Sequence, residues 1–169
     1  LNPVAVAMRD RLINQLDREL TLPEAPLDIL LNTFGIENVA EVTGRTKRVV
    51  QTLNDNNELV KIEESWSDQK SKNDANAFMD DKKQILIFSK KGGTGASYHS
   101  DLTRKNQRRR IHYVLQAGWQ ADAAIQGFGR SHRSNQRIAP FFKLATTDLK
   151  SQMRFLSSIA RRLEQLGAL

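Results

Sequence analysis

Apolar residues recur every four positions through Val4, Met8, Leu12, Leu16 and Leu20. That period predicts an amphipathic helix. Asn2 before Pro3 suits its start, because a proline at the first helical position gives up no needed N–H, and the pattern ends before Pro23. A second helix is predicted over 27–34, stopping at Gly35, and a third over 37–42, stopping at Gly44. Glycine just past the last apolar residue is a common helix stop. Residues 48–53 and 59–63 read as short extended segments around the turn-prone Asn54-Asp55-Asn56-Asn57. Residues 64–74 are poor in apolar positions and read as a surface loop leading into a short helix around 75–79.

After Lys83 the pattern changes. Ile85-Leu86-Ile87-Phe88 is a continuous apolar run, as expected of a strand covered on both faces of a parallel sheet. Residues 111–115 form a second such run and 140–145 a weaker third, with a helical segment over 121–128 between them. A long helix over 149–166 closes the chain, with Met153, Leu156, Ile159, Ala160 and Leu163 on one face. Strands alternating with helices predict an α/β fold with a parallel sheet.

The 169 residues fit one domain, or one lobe of a larger enzyme. The first residue is Leu rather than Met, so the chain is expected to be a fragment or a processed product. No cysteine is present, which excludes disulfides, thiolate metal sites and cysteine nucleophiles. The three histidines, His99, His112 and His132, have no metal-ligand spacing and read as structural or polar contacts, so no metal site is expected. No apolar run approaches the roughly 18 residues of a membrane span.

The formal net charge of +7 hides an asymmetry. Residues 1–81 hold 9 Lys and Arg against 15 Asp and Glu, a net −6, whereas residues 82–169 hold 17 against 4, a net +13. A basic half of that size suits a polyanionic partner, nucleic acid or nucleotide phosphate. The plain alternative is a solvated surface with cations on helix backs.

Three segments could carry chemistry. Ser89-Lys90-Lys91-Gly92-Gly93-Thr94-Gly95-Ala96-Ser97 directly follows the first apolar strand, where ligands of an open parallel sheet sit. Its spacing matches neither a Walker A loop nor a dinucleotide fingerprint. Residues 126–136, from Gln126 through Gly129, Arg130, His132 and Arg133 to Gln136, place two arginines on roughly one helix face. Arginine suits bidentate phosphate contact and charge neutralisation in phosphoryl transfer. The run Arg104-Lys105-Asn106-Gln107-Arg108-Arg109-Arg110 reads as a solvated cationic turn or a phosphate-backbone contact. Trp66 and Trp119 read as packing anchors, and Glu63-Glu64 and Asp80-Asp81 as solvated pairs.

Residues 85–97 together resemble motif V of superfamily-two helicases, and residues 126–136 resemble motif VI in the form found in Swi/Snf-type translocases. The match extends to the strawberry notch family, whose C-terminal helicase lobe has stretches similar to residues 39–45, 78–80, 106–110, 119–126 and 160–169. The resemblance covers about residues 36–169. It implies a RecA-like parallel sheet flanked by helices, one lobe over 1–169, with the strand that normally opens such a lobe lying upstream of Leu1. Neither a Walker A lysine loop nor an acidic DExH-type box occurs here; both belong to the first lobe.

The resemblance further implies ATP in a cleft between two lobes, with Mg2+ held mainly by the first. This chain would supply Arg130 and Arg133 as arginine fingers, with Gln126 coupling the nucleotide site to motif V, and Gly129 and Gly95 at the nucleotide. Lys91, Gly92, Gly93, Thr94, Arg108 and Arg109 would face nucleic acid, expected to be DNA. The expected partners are therefore nucleic acid and an upstream RecA-like lobe of the same chain, not a membrane. A cytoplasmic location is expected for a bacterial, phage or plasmid protein, and a nuclear one for a eukaryotic protein. Two alternatives stand beside this reading: a non-catalytic nucleic-acid-binding scaffold lobe, and the helicase part of a methyltransferase–helicase antirestriction protein.

Overall fold

A computed structural model of the chain describes residues 2–19, 24–93, 95–115 and 121–165. Helix α1 (Pro3–Glu19) starts as predicted, with the Val4 N–H donating to Asn2 Oδ1 at 3.0 Å. Its apolar stripe does not enter a core: Val4, Met8, Leu12 and Leu16 are all exposed. Leu20 lies outside the described residues. Helix α2 (Pro26–Phe34) stops where Gly35 turns to φ 83°.

The third predicted helix is instead a strand. β1 (Val39–Val42) is buried at all four positions and runs parallel to β4 (Ile85–Phe88), in register from Val39 opposite Ile85 to Val42 opposite Phe88. Contiguous burial on both faces is what a covered parallel strand needs, and a four-residue run is too short for periodicity to separate the two states. β2 (Lys47–Leu53) and β3 (Leu59–Ser65) form the predicted hairpin. Asn54 Oδ1 fixes its turn by accepting from the Asn56 and Glu58 N–H groups at 2.9 Å each.

Helix α3 (Asp68–Met79) begins well inside the predicted loop, capped by Ser67, whose hydroxyl accepts from the Lys70 N–H at 3.2 Å. Its buried face includes Ser71 and Asp74 as well as Phe78 and Met79, so its first turns carry no apolar signal. After β4 comes a single helical turn, α4 (Lys90–Gly93), then β5 (Ile111–Val114), α5 (Ala121–Ser131), β6 (Phe141–Leu144) and α6 (Lys150–Gln165).

The class is α/β, built of small parallel sheets flanked by helices, but the described strands do not join into one sheet. β1 pairs with β4 and β5 with β6, both parallel. Rings bridge the two pairs: Phe88 lies 5.3 Å from Tyr98 and 5.4 Å from His112, and His112 lies 5.7 Å from Phe128 and 5.6 Å from Phe142. The core around β1 gathers Ala40, Phe78, Met79 and Tyr98. β6, expected to be covered, is exposed along its length.

Candidate nucleotide and nucleic-acid edge

The segment after β4 folds back on the end of β1. The Ser89 N–H donates to the Val42 carbonyl at 3.2 Å. A Cβ on Gly92 would lie 1.7 Å from that same carbonyl oxygen, so close packing alone demands glycine there. Tyr98 Oη donates to the Gly92 carbonyl at 2.8 Å and ties the turn to the core. Lys91 is exposed, with its Nζ 3.9 Å from Asp68, and Gly95 sits at φ 74° with open space around it. Gly93 ends α4, and Thr94 lies outside the described residues.

The backbone that follows is knitted to the motif VI segment. The Tyr98 N–H donates to the Arg130 carbonyl at 2.6 Å, and the Leu102 N–H to that of Asn135 at 3.2 Å. The Arg137 N–H donates to the Ser100 carbonyl at 2.8 Å, and Ser100 Oγ to that of Ile138 at 3.0 Å. The two motifs, 30 residues apart in sequence, therefore form one edge.

On that edge Arg130 Nη1 donates to the Ala96 carbonyl at 3.1 Å, and Arg133 Nε to the Gly129 carbonyl at 3.0 Å. Both guanidinium groups rest on backbone oxygens. Among the described residues neither has a carboxylate partner. Gln126 is exposed on the same helix, and a Cβ on Gly129 would meet open space. Cations held without neutralising acids are chemically suited to a phosphate.

His99, the residue after Arg130's partner Tyr98, was not singled out by spacing. Its ring is buried, with Nε2 3.5 Å from an Asp101 oxygen and Nδ1 without a partner. Burial holds its pKa below the usual value, helped by Arg133 and Arg110 and opposed by Asp101. His112 is held low by burial too, its Nδ1 2.7 Å from Ser131 Oγ.

The cationic run divides sharply. Arg110 is buried: Nε donates to the Tyr98 carbonyl at 2.7 Å, and Nη2 to those of Asn106 and His99 at 2.9 and 3.1 Å. Burial, with the nearby Arg108 charge, lowers its pKa to about 10. Arg108 is paired with Asp81, and Arg104 lies 3.8 Å from Asp80 and bonds Asn76 at 3.0 Å. Those two aspartates thus serve as counter-ions rather than a solvated pair. Arg109 is exposed and lies over the Phe141 ring at 4.5 Å, while Lys105 is exposed. Trp66 is a buried anchor, as expected; Trp119 lies outside the described residues.

Among the described residues no group of three or more His, Asp or Glu side chains could hold a metal ion, and no helix is long and apolar enough to cross a membrane. The donors on this edge that could meet a nucleotide phosphate are the Arg130 and Arg133 guanidinium groups.

The fold and this edge have the form of a helicase-type C-terminal domain. Residues 25–169 match the helicase C-terminal family described as the C-terminal domain on Strawberry notch homologue, and the chain belongs to that family. It is 42% identical to protein strawberry notch of Drosophila melanogaster over 98% of this chain. It is 40% identical to protein FORGETTER 1 of Arabidopsis thaliana and 42% identical to strawberry notch homolog 1 of Homo sapiens, again over 98% of this chain. The chain spans only 10%, 13% and 12% of those relatives. All three are eukaryotic, and they lend no support to a bacterial or phage origin.

Proposed function

We propose that the chain is the second lobe of an ATP-dependent nucleic-acid motor, working against an upstream lobe of the same polypeptide. The observation that carries this reading is the pair Arg130 and Arg133, held by backbone carbonyls at 3.1 and 3.0 Å on the edge that joins the two motifs. Facing a nucleotide across a cleft, the two guanidinium groups would neutralise charge developing on the terminal phosphoryl oxygens. ATP would supply the driving force on hydrolysis, and its magnesium would belong to the other lobe.

The Tyr98–Arg130 hydrogen bond supports a relay role for this edge, since movement of α5 draws on the segment that follows β4. Lys91 and residues 93–95, at the carboxyl end of that strand, are the proposed contacts to nucleic acid, with DNA the expected substrate. Gln126, exposed on the same helix, is proposed to couple the two. The test is DNA-stimulated ATPase activity of the full-length protein. Arg130→Ala and Arg133→Ala are expected to lower turnover by about 10³-fold or more. Undiminished turnover in both would remove the finger assignment.

A further inference from the structure

The β5–β6 pair has two unlike faces. Its register puts Ile111 beside Phe141 and Tyr113 beside Lys143 on one face, and His112 beside Phe142 and Val114 beside Leu144 on the other. Helix α5 packs on the second face, where Phe128 lies 4.6 Å from Phe142 and 5.7 Å from His112. The first face has no such cover among the described residues. Tyr113 and Phe141 are 55% and 54% exposed, and Ile111 and Leu115 are exposed beside them. Parallel strands are ordinarily covered on both sides, so an occupant is expected here.

Charge selects its chemistry. The Arg109 guanidinium lies 4.5 Å over the Phe141 ring, and the Lys143 ammonium 5.4 Å over the Tyr113 ring. Both cations are exposed, and among the described residues neither forms an ion pair. Of the side chains on this face, Arg109, Ile111, Tyr113, Leu115, Phe141 and Lys143, two are cations and none is an acid. An apolar helix laid on them would desolvate both cations and bring no counter-charge. A nucleic-acid strand brings a phosphate for each cation and a base for each ring.

Ring spacing selects the form of that strand. Tyr113 and Phe141 stand on neighbouring strands, two residues apart in register. Strand geometry separates their Cα atoms by about 8 Å. Stacked bases in a duplex are only about 3.4 Å apart. Two rings so placed suit bases splayed from a single strand, not bases held inside a duplex.

We propose that this outer face binds single-stranded nucleic acid, its bases stacking on Tyr113 and Phe141 and its phosphates meeting Arg109 and Lys143. The site uses neither Arg130 nor Arg133 and needs no ATP, so its failure and that of the motor reading are separable. The test is fluorescence anisotropy of labelled oligothymidylate and oligouridylate, titrated with the full-length protein without ATP, beside a duplex of equal length. Replacing both rings, Tyr113→Ala with Phe141→Ala, is expected to weaken single-strand binding by about tenfold or more and duplex binding by less than about twofold. The tighter oligonucleotide names the strand. Tyr113→Phe keeps the ring and should bind like the parent protein, whereas Tyr113→Ala should not.

Hydroxyl-radical footprinting of the unsubstituted protein needs no variant. Tyr113 and Phe141 should be oxidised in the free protein and protected by the bound oligonucleotide. The proposal is overturned if the double variant binds single strands like the parent, if it loses duplex binding equally, or if Tyr113→Phe loses as much as Tyr113→Ala. It is overturned too if both rings are already protected without oligonucleotide, which would assign the face to a covering polypeptide.

Discussion

The backbone N–H of Tyr98 donates to the carbonyl of Arg130 at 2.6 Å, so the segment after β4 and the last turn of α5 share a hydrogen bond. Neighbouring residues divide their labour around it. Tyr98 is buried in the core around β1, while the Arg130 side chain makes a single bond to Ala96 at the margin. Removing the Arg130 side chain should therefore spare the fold. Arg130→Ala is expected to change unfolding free energy by less than about 1 kcal/mol in urea titration, while turnover of the full-length protein falls. A loss of stability matching the loss of activity would assign Arg130 a structural role.

Arg110 should behave in the opposite way. Its guanidinium satisfies the carbonyls of Tyr98, His99, Asn106 and Arg108 and lies 4.8 Å from the Phe78 ring. Arg110→Ala leaves those oxygens buried without donors and is expected to cost about 3 kcal/mol or more. Arg110→Lys should recover only part of this, because an ammonium lacks the planar fork. Arg109→Ala, removing an exposed stack on Phe141, should cost about 0.5–1 kcal/mol. Urea denaturation of the three variants checks the order.

Two glycines separate packing from function. Gly92→Ala forces a methyl into the Val42 carbonyl and should destabilise by about 1–3 kcal/mol. Gly129→Ala meets open space inside α5 and should stabilise by up to about 1 kcal/mol. If Gly129 lets a phosphate approach the helix, the same substitution raises the melting temperature and lowers ATPase activity. Unchanged activity with raised stability would take Gly129 out of the nucleotide site.

His99 and His112 both have pKa values lowered by burial, so the folded state favours their neutral forms. Unfolding lets them take up protons. Their stabilising effect is present above the ordinary histidine value near 6.5 and is lost as pH falls through the folded values. Stability should therefore drop between neutral pH and about pH 5, where most carboxylates are still ionised. His112→Gln, which retains a polar partner for Ser131, should flatten that dependence in thermal melts. An equally steep fall in the variant would shift the cause elsewhere.

The sequence made the β-strand runs, the hairpin and the closing helix legible, because each has a clear apolar period or a turn signal. It hid the first turns of α3, whose buried face uses Ser71 and Asp74. It also turned β1 into a helix, since Val-Ala-Glu-Val offers no period of its own. Glu41 is fully buried there because Arg45 bonds both its oxygens at 2.7 and 2.8 Å and Thr43 donates to one at 2.5 Å. Of the candidate edge, motifs V and VI could be read locally. Their hydrogen-bonded junction depends on contacts across 30 or more residues, which no local pattern records.

The pairing of Arg104 and Arg108 with Asp80 and Asp81 has a consequence for counterion release. Five cations stand between residues 104 and 110. Were all five on phosphates, they would contribute about −4.5 to the slope of log affinity against log salt for duplex DNA, at roughly 0.9 per contact. With Arg110 buried and two arginines held by acids, Lys105 and Arg109 are left to contribute about −1.8. A nucleic acid seated on this stretch would keep most of its grip as salt rises.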